Sequence, residues 1–148
     1  MADVDHFKKF NDTHGHDVGD QVLRLVAAQL RKIGGGGKAY RYGGEEFTLV
    51  FPGKTLDECL PHLEVVRQVI ETYRIQLRDK QQRPQDDKQG RARRAGSAAN
   101  QVSVTVSIGV GVQTPEAQQD LSTLLGCADD ALYCAKRNGR NRVETYAG

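Results

Sequence analysis

Long apolar stretches and secretory features are missing from this sequence. No run of about 18 apolar residues occurs in the chain, so nothing in it predicts a membrane-spanning helix. The segment from Met1 to Asp5 also lacks the basic-then-apolar pattern of a signal peptide. These absences predict a cytoplasmic domain without direct membrane contact, whether or not a parent protein is membrane-anchored.

Cysteine is scarce as well. The chain has three, at Cys59, Cys127 and Cys134. The last two are seven residues apart on a predicted helix, which separates them by roughly 10 Å along its axis. That is too far for a disulfide, so reduced thiols in a cytoplasmic setting are expected.

A large excess of either charge is absent too. The formal net charge is +2, and residues 79–100 contain six basic and three acidic residues, so the rest of the chain carries −1. A near-neutral body argues against a nucleic-acid partner, which requires a basic face. The segment 79–100 is rich in Gln, Gly and Ala and has no aromatic residue. We expect a flexible, solvated basic loop there, with contact to phosphate or a partner as the alternative.

The chain is long enough for one domain, which we expect to span residues 1–148. Hydrophobic periodicity predicts a strand end at 1–5, helices at 17–33, 56–77 and 121–137, a hairpin of 39–42 and 47–51, a strand at 102–112 and a last strand. Leu121 is expected to face inward, and Phe47 and Tyr133 to lie in the core. This order predicts an α+β (mixed α/β sandwich) fold, one sheet with helices on its faces.

Two acidic pairs suggest a metal site. Asp3 and Asp5 stand at a strand end, and Glu45 and Glu46 follow the two glycines of the hairpin. Hard divalent cations need several oxygen ligands from separate elements, so neighbouring strands would let Asp3 and Glu45 share a magnesium pair at a solvent-accessible site. Two metals are a common means of displacing pyrophosphate from a nucleotide. A solvated acidic turn is the alternative for Glu45 and Glu46 taken alone.

Five motifs together resemble the GGDEF family. They are Asp3-Val4-Asp5-His6-Phe7-Lys8-Lys9-Phe10-Asn11-Asp12, Gly15-His16-Asp17-Val18-Gly19-Asp20, Arg41-Tyr42-Gly43-Gly44-Glu45-Glu46-Phe47, Val106-Ser107-Ile108-Gly109-Val110, and the run from Ala128 to Asn141. Their order matches the family's and spans almost the whole chain. The resemblance implies a palm-like nucleotide cyclase fold with a central, mostly antiparallel sheet wrapped by helices.

The resemblance also implies roles for single residues. Asp3, the Val4 carbonyl and Glu45 would hold two Mg²⁺ or Mn²⁺ ions per active site, and Glu45, with Glu46 nearby, would assist deprotonation of the attacking 3′-hydroxyl. Asn11 and Asp20 match guanine readers, and a carboxylate suits guanine N1 and N2. The phosphate contacts would be Phe7, Lys8, Gly43, Gly44, Lys136 and Arg140.

Each of these residues has a simpler interpretation when taken alone. Asn11 and Asp20 suit turns and helix caps, and Lys136 and Arg140 suit a helix C-terminus. His14 and His16 lack a third matching ligand for zinc. The interpretation as a nucleotide site rests on the whole set.

The resemblance implies a diguanylate cyclase that joins two GTP molecules across a homodimer of domains, downstream of a sensory or dimerisation domain in a parent protein. Two departures stand out. The family's leading helical segment has no match, so we expect an N-terminally truncated domain. Gly34 to Gly37 occupy the window of the usual inhibitory product motif, so no such site is expected. A catalytically silent GTP-binding or protein-interaction module is the alternative, and a mononucleotide cyclase is a third possibility.

Overall fold

A computed structural model describes residues 1–77, 101–114, 116 and 119–146. In chain order the elements are β1 (Ala2–Val4), α1 (Phe7–His14), α2 (His16–Leu30), β2 (Lys38–Gly43), β3 (Glu46–Val50), α3 (Leu56–Thr72), β4 (Ile75–Gln76), β5 (Gln101–Val102), β6 (Val106–Val110), α4 (Leu121–Arg137) and β7 (Val143–Thr145). The basic segment 79–100 lies outside the described residues. Over the described part of the chain, no helix is long and apolar enough to cross a membrane.

The main sheet has five strands in the order β2-β3-β1-β6-β7. All neighbours are antiparallel except β6 and β7, which are parallel. The expected α+β fold with a mostly antiparallel sheet is confirmed. The short strand β1 lies at the centre, with the hairpin on one side and β6 on the other.

The alternating side chains of β1 serve two different layers. Ala2 and Val4 join the main core, which α2 and α3 complete from one face of the sheet. Met1 packs with Ala128 and Leu132 of α4 on the other face. Because successive strand residues point to opposite faces, Asp3 lies on the α4 side.

Strand β6 is covered on both faces, and its sequence reflects this. Val106 and Ile108 point into the main core. A Cβ added at Gly109 would meet the backbone of Leu132 and Ala128, and one added at Gly111 would lie 2.7 Å from the Leu124 carbonyl oxygen. Val106 and Ile108 therefore fill the core on one face of β6. The glycines face α4, whose backbone lies too close to leave space for a side chain.

Several sequence expectations were wrong in detail. No helix was predicted between residues 5 and 17, whereas α1 forms there, since Phe7, Phe10 and His14 recur at helical spacing and Phe7 is buried. The strand expected over 102–112 is two strands, because the segment between them bonds to Asp5 instead of to a ladder: the Asp5 N–H donates to the Thr105 carbonyl at 2.9 Å.

The helix bounds and two inward-facing residues also differ from expectation. Helix α2 ends at Leu30, and α3 ends at Thr72, where Tyr73 turns extended. Leu121, the first residue of α4, is 71% exposed. Tyr133 is 61% exposed because it lies off the buried stripe of Ala128, Ala131, Leu132 and Ala135, and the Arg137 guanidinium stands 5.8 Å from its ring centre. Phe47 is buried, as expected.

Candidate active site

Three parts of the chain meet beside the end of β1. Asp3 pairs in register with Glu46 of β3, and the Val4 N–H donates to the Glu45 carbonyl at 3.3 Å. From the α4 side, the Lys136 ammonium lies 3.3 Å from an Asp3 carboxylate oxygen. The expectation that the two acidic segments sit on neighbouring strands is confirmed, and a lysine from the last turn of α4 joins them.

Asp3 is more enclosed than the sequence suggested. Its exposed fraction is 6%, so the expected solvent-accessible position is wrong for this side chain, whereas Glu45 and Glu46 are half-buried. Burial raises the pKa of Asp3 to about 6, Lys136 opposes that rise, and the nearby charges of Glu45 and Glu46 add to it. Two half-buried carboxylates thus lie near the buried Asp3 with one lysine, and this excess of negative charge favours an additional cation.

The hairpin tip presents open backbone. Gly43 and Gly44 are exposed, and a Cβ at either would meet nothing within 4 Å. Gly44 has a φ of 50°, and its carbonyl accepts a 2.8 Å hydrogen bond from the Arg41 guanidinium. A large anion such as a phosphate can therefore approach this backbone without meeting a side chain.

Helices α1 and α2 hold Asn11 and Asp20 near each other. Asn11 Oδ1 packs directly against Gly19, where a Cβ would overlap it. This oxygen is buried and has no hydrogen-bond partner among the described residues. Asp20, the next residue after Gly19, is exposed and so is not a buried side chain in this structure. The junction of α1 and α2 therefore has a buried acceptor and, one residue beyond Gly19, an exposed carboxylate.

The remaining expected residues lie at two helix ends. Phe7 and Lys8 begin α1, with Phe7 buried and Lys8 exposed. Arg140 follows the end of α4 and has a φ of 64°, an unusual value for a residue with a side chain. Its backbone N–H donates to the Ala135 carbonyl at 2.9 Å, which ties the turn to the helix.

A comparison with known families accounts for this arrangement. The family model described as "Diguanylate cyclase, GGDEF domain" matches residues 1–89 and 88–142. The chain belongs to the GGDEF family. Glu45 gives its signature the form Gly-Gly-Glu-Glu-Phe.

Named relatives of this GGDEF domain agree with the family match. The chain is 42% identical over 144 residues to the diguanylate cyclase VdcA of Vibrio cholerae, covering 97% of this chain but 37% of VdcA. The chain therefore spans little more than a third of that relative.

Two solved structures share the fold. The GGDEF domain of DgcB from Caulobacter crescentus, in complex with c-di-GMP, has a TM-score of 0.79 and 34% identity, covering 99% of this chain and 73% of that one. The active GGEEF domain of a Vibrio cholerae diguanylate cyclase has a TM-score of 0.73 and 28% identity, covering 99% of this chain and 80% of that one.

The GGDEF signature supplies oxygen donors of the kind that Mg²⁺ prefers. Within the described residues, no three His, Cys, Asp or Glu side chains form a metal cluster by themselves. Asp3 and Glu45 offer two carboxylates, and Mg²⁺ is commonly held by one or two carboxylates together with waters and substrate phosphates. The donor set therefore fits a cation that arrives with a nucleotide.

The inhibitory-motif window is a tight turn in this GGDEF domain. A Cβ at Gly34 would lie 2.9 Å from His62 Nδ1, and one at Gly37 would lie 2.7 Å from the Phe51 ring. Gly35 and Gly36 have φ values of 68° and 77°. A side chain at Gly34 or Gly37 would thus meet a neighbouring ring, and Gly35 and Gly36 have the left-handed backbone that favours glycine.

Sequence reasoning missed the role of Asp5. Its buried carboxylate accepts hydrogen bonds from the Thr105 hydroxyl at 2.7 Å, the Ser107 hydroxyl at 2.6 Å and the Asn141 backbone N–H at 3.1 Å. These bonds anchor the chain two residues beyond Asp3. The signal was weak, since the partners are 100 or more residues away in sequence.

Proposed function

We propose that this domain is a diguanylate cyclase that converts two GTP molecules into cyclic di-GMP and two pyrophosphates. The observation that carries the proposal is the intact GGEEF tip next to Asp3 in a chain that matches the family along nearly its whole length. The active GGEEF domain from Vibrio cholerae supports the view that a glutamate at Glu45 is compatible with turnover.

In this proposal, Asp3, the Val4 carbonyl and Glu45 hold two Mg²⁺ or Mn²⁺ ions. When bound, the ions neutralise charge on the α-phosphate and make the 3′-hydroxyl more acidic. Glu45, with Glu46 beside it, accepts the proton from that hydroxyl. The negative potential at Asp3 supports cation binding, because the charges of Glu45 and Glu46 add to the effect of burial in raising the pKa of Asp3.

Asn11 and Asp20 read the guanine base in the proposed complex. Asn11 Oδ1 is buried against Gly19 without a donor, which costs free energy, so the side chain would gain by turning to place its amide on the guanine edge. The Asp20 carboxylate accepts hydrogen bonds from the N1 and N2 positions. Adenine has no hydrogen at N1 and no 2-amino group, so ATP is a poor fit.

The triphosphate lies between the hairpin tip and the two helix ends. Gly43 and Gly44 give it access to backbone, and the start of α1 at Phe7 and Lys8 adds N–H groups and a cation. Lys136 and Arg140 supply positive charge from the end of α4. Lys136 now pairs with Asp3, and it would exchange that partner for phosphate when cations neutralise the carboxylate.

Catalysis on this proposal requires two copies of the domain. Each copy holds one GTP, and each 3′-hydroxyl attacks the α-phosphate held by the other copy, in line with departing pyrophosphate. A second copy of the chain is therefore the proposed partner, and an upstream sensory or dimerisation domain in a parent protein would control the encounter.

Product analysis provides the test. We would incubate the chain with GTP and magnesium, identify the product by mass and follow pyrophosphate release. Glu45→Gln serves as the inactive variant, and Asp57→Asn is the matched control, because Asp57 is an exposed carboxylate on α3. A dimerising coiled coil fused to the chain removes dilution as a cause of inactivity.

The outcomes separate the candidate functions. Cyclic di-GMP from the wild type and the Asp57→Asn control, and none from Glu45→Gln, supports the cyclase. GTP binding without pyrophosphate release, even in the fused dimer, would favour the catalytically silent regulatory module. A product made from a single GTP would instead indicate a mononucleotide cyclase.

A further inference from the structure

A buried arginine on α3 connects to the turn that carries Arg140. Arg67 is 8% exposed and lies outside the five motifs that define the nucleotide site. Its Nε and Nη2 donate to the two carboxylate oxygens of Glu64 at 2.9 and 2.6 Å. Its Nη1 donates to Glu71 at 2.8 Å and to Asn141 Oδ1 at 2.6 Å.

The Asn141 amide is held at both ends. While Oδ1 accepts from Arg67, Nδ2 donates to Glu71 Oε1 at 2.9 Å. The Asn141 backbone N–H donates to Asp5, two residues from Asp3. A single residue therefore joins α3, the turn after α4 and the end of β1.

This connection matters because the turn has an unfavourable backbone conformation. Arg140 and Asn141 have φ values of 64° and 47°, in the left-handed region. Asparagine tolerates this region, but arginine has no such preference, so external contacts must maintain the conformation. The backbone bonds of Arg140 to Ala135 and of Asn141 to Asp5 supply part of them, and the Arg67 and Glu71 contacts supply the part that comes from α3.

We propose that Arg67 and Asn141 are positioning residues that hold Arg140 in its left-handed conformation and so direct its guanidinium to the nucleotide triphosphate. The inference rests on the proposed phosphate role of Arg140. Neither Arg67 nor the Asn141 side chain touches the nucleotide. Because Asp5 belongs to the same network, the turn keeps a fixed relation to the strand of Asp3.

Asn141→Gly is the most selective variant. Glycine adopts the left-handed conformation readily and keeps the backbone N–H for Asp5, so this change removes the amide contacts without disfavouring the turn. Arg67→Met removes the other side of the contact, and Lys54→Met is its matched control, because Lys54 is a partly exposed cation paired with Glu58 near the start of α3. Thermal unfolding of each variant shows whether it is folded.

Binding of GTP and of guanosine, each with magnesium, distinguishes positioning from general damage. We expect Asn141→Gly and Arg67→Met to weaken GTP binding by about 5- to 30-fold, the range for losing one ordered charged contact, and to leave guanosine binding unchanged. Lys54→Met should bind both ligands like the wild type. In an Arg140→Ala background, Asn141→Gly should cause no additional loss.

Two results would overturn the inference. One is unchanged GTP binding in folded Asn141→Gly and Arg67→Met proteins. The other is an effect that does not depend on Arg140. It would appear as equally weakened binding of GTP and guanosine, or as a full further loss of GTP binding when Asn141→Gly is added to Arg140→Ala. Failure of the wild type to bind GTP at all would instead reject the proposed function on which the inference rests.

Discussion

Asp3 and Glu45 differ in how strongly a substitution at each position would disturb the packing of the fold. Asp3 is buried and paired with Lys136, so its replacement also alters the packing between β1 and α4. Glu45 is half-buried at the hairpin tip and contributes its backbone carbonyl, not its carboxylate, to the bond with Val4. Glu45 is therefore the better position for separating chemistry from stability.

We expect Glu45→Gln to reduce pyrophosphate release from GTP by about 100-fold or more, because one charged group at the reacting centre is lost. The melting temperature should stay close to that of the wild type. Single-turnover assays beside thermal unfolding would check both statements. Near-normal turnover would contradict the assignment of Glu45.

Gly19 is a second residue whose size matters. An alanine there would overlap Asn11 Oδ1, so Asn11 must rotate or α1 must shift. We expect Gly19→Ala to destabilise the fold by about 1–3 kcal/mol, as overpacking usually does, and to weaken GTP binding.

Gly126→Ala on α4 is the control for that experiment. A Cβ at Gly126 meets nothing within 4 Å, so this change should raise stability by about 0.5–1 kcal/mol through helix propensity. Urea unfolding of both variants provides the measurement. Equal stabilities for the two alanine variants would show that α1 and α2 have more space than the structure indicates.

At the scale of elements, the sequence predicted those helices and turns that are determined by hydrophobic periodicity and by turn-forming residues. The hairpin was predicted from Gly43 and Gly44, and α4 was predicted with its bounds at Leu121 and Arg137, where Asp120 caps the start. Helix α1 was missed because it has eight residues and only one is fully buried. The interruption of the strand between Val102 and Val106 was missed because it depends on bonds to Asp5, which is distant in sequence.

The same limit applies to the site. Asp3, Glu45 and Lys136 were expected together, and they lie together. The burial of Asp3 could not be predicted, because it depends on how closely α4 packs over the sheet. The contact of Arg67 with Asn141 could not be predicted either. The two residues are 74 apart in sequence, and they meet only because α3 packs against the turn that follows α4.

The ion pairs of α3 should make the free energy of unfolding depend on pH in the acidic range. Hydrogen bonds from Arg67 hold the pKa of Glu64 and that of Glu71 below the ordinary value of 4.5, with Asn141 adding to the effect on Glu71. Because the folded values are lowered, this stabilisation is complete above pH 4.5 and is lost as the pH falls through the lowered values.

We therefore expect the free energy of unfolding to fall less steeply in Arg67→Met than in the wild type between about pH 5 and pH 3. Urea titrations at several pH values would measure it. Glu58 and Asp120, whose pKa values are lowered by N-cap hydrogen bonds, are present in both proteins and cancel in the comparison. Parallel pH profiles would contradict the expectation.

At the scale of the whole molecule, the proposed reaction needs two domains to meet. We expect the rate of cyclic di-GMP formation by the bare chain to rise with about the square of protein concentration at high dilution, and specific activity in a coiled-coil fusion to be independent of concentration. A dilution series with both proteins is the measurement. Concentration-independent specific activity of the bare chain would argue against reaction between separate copies.

The contact of Gly109 with α4 has a consequence for mutational scanning. Leu132 and Ala128 touch this glycine through their backbones, so a methyl group there must push the helix off the sheet, and Lys136 lies one turn further along the same helix. We expect Gly109→Ala to behave in an activity screen like the loss of a site residue, although Gly109 has no side chain to offer a ligand. Measuring its unfolding beside that of Gly126→Ala and Glu45→Gln would reveal the difference, because Glu45→Gln should lose activity and keep its stability. A screen scored on activity alone would therefore extend the apparent site along β6 to a glycine that contacts only the backbone of α4.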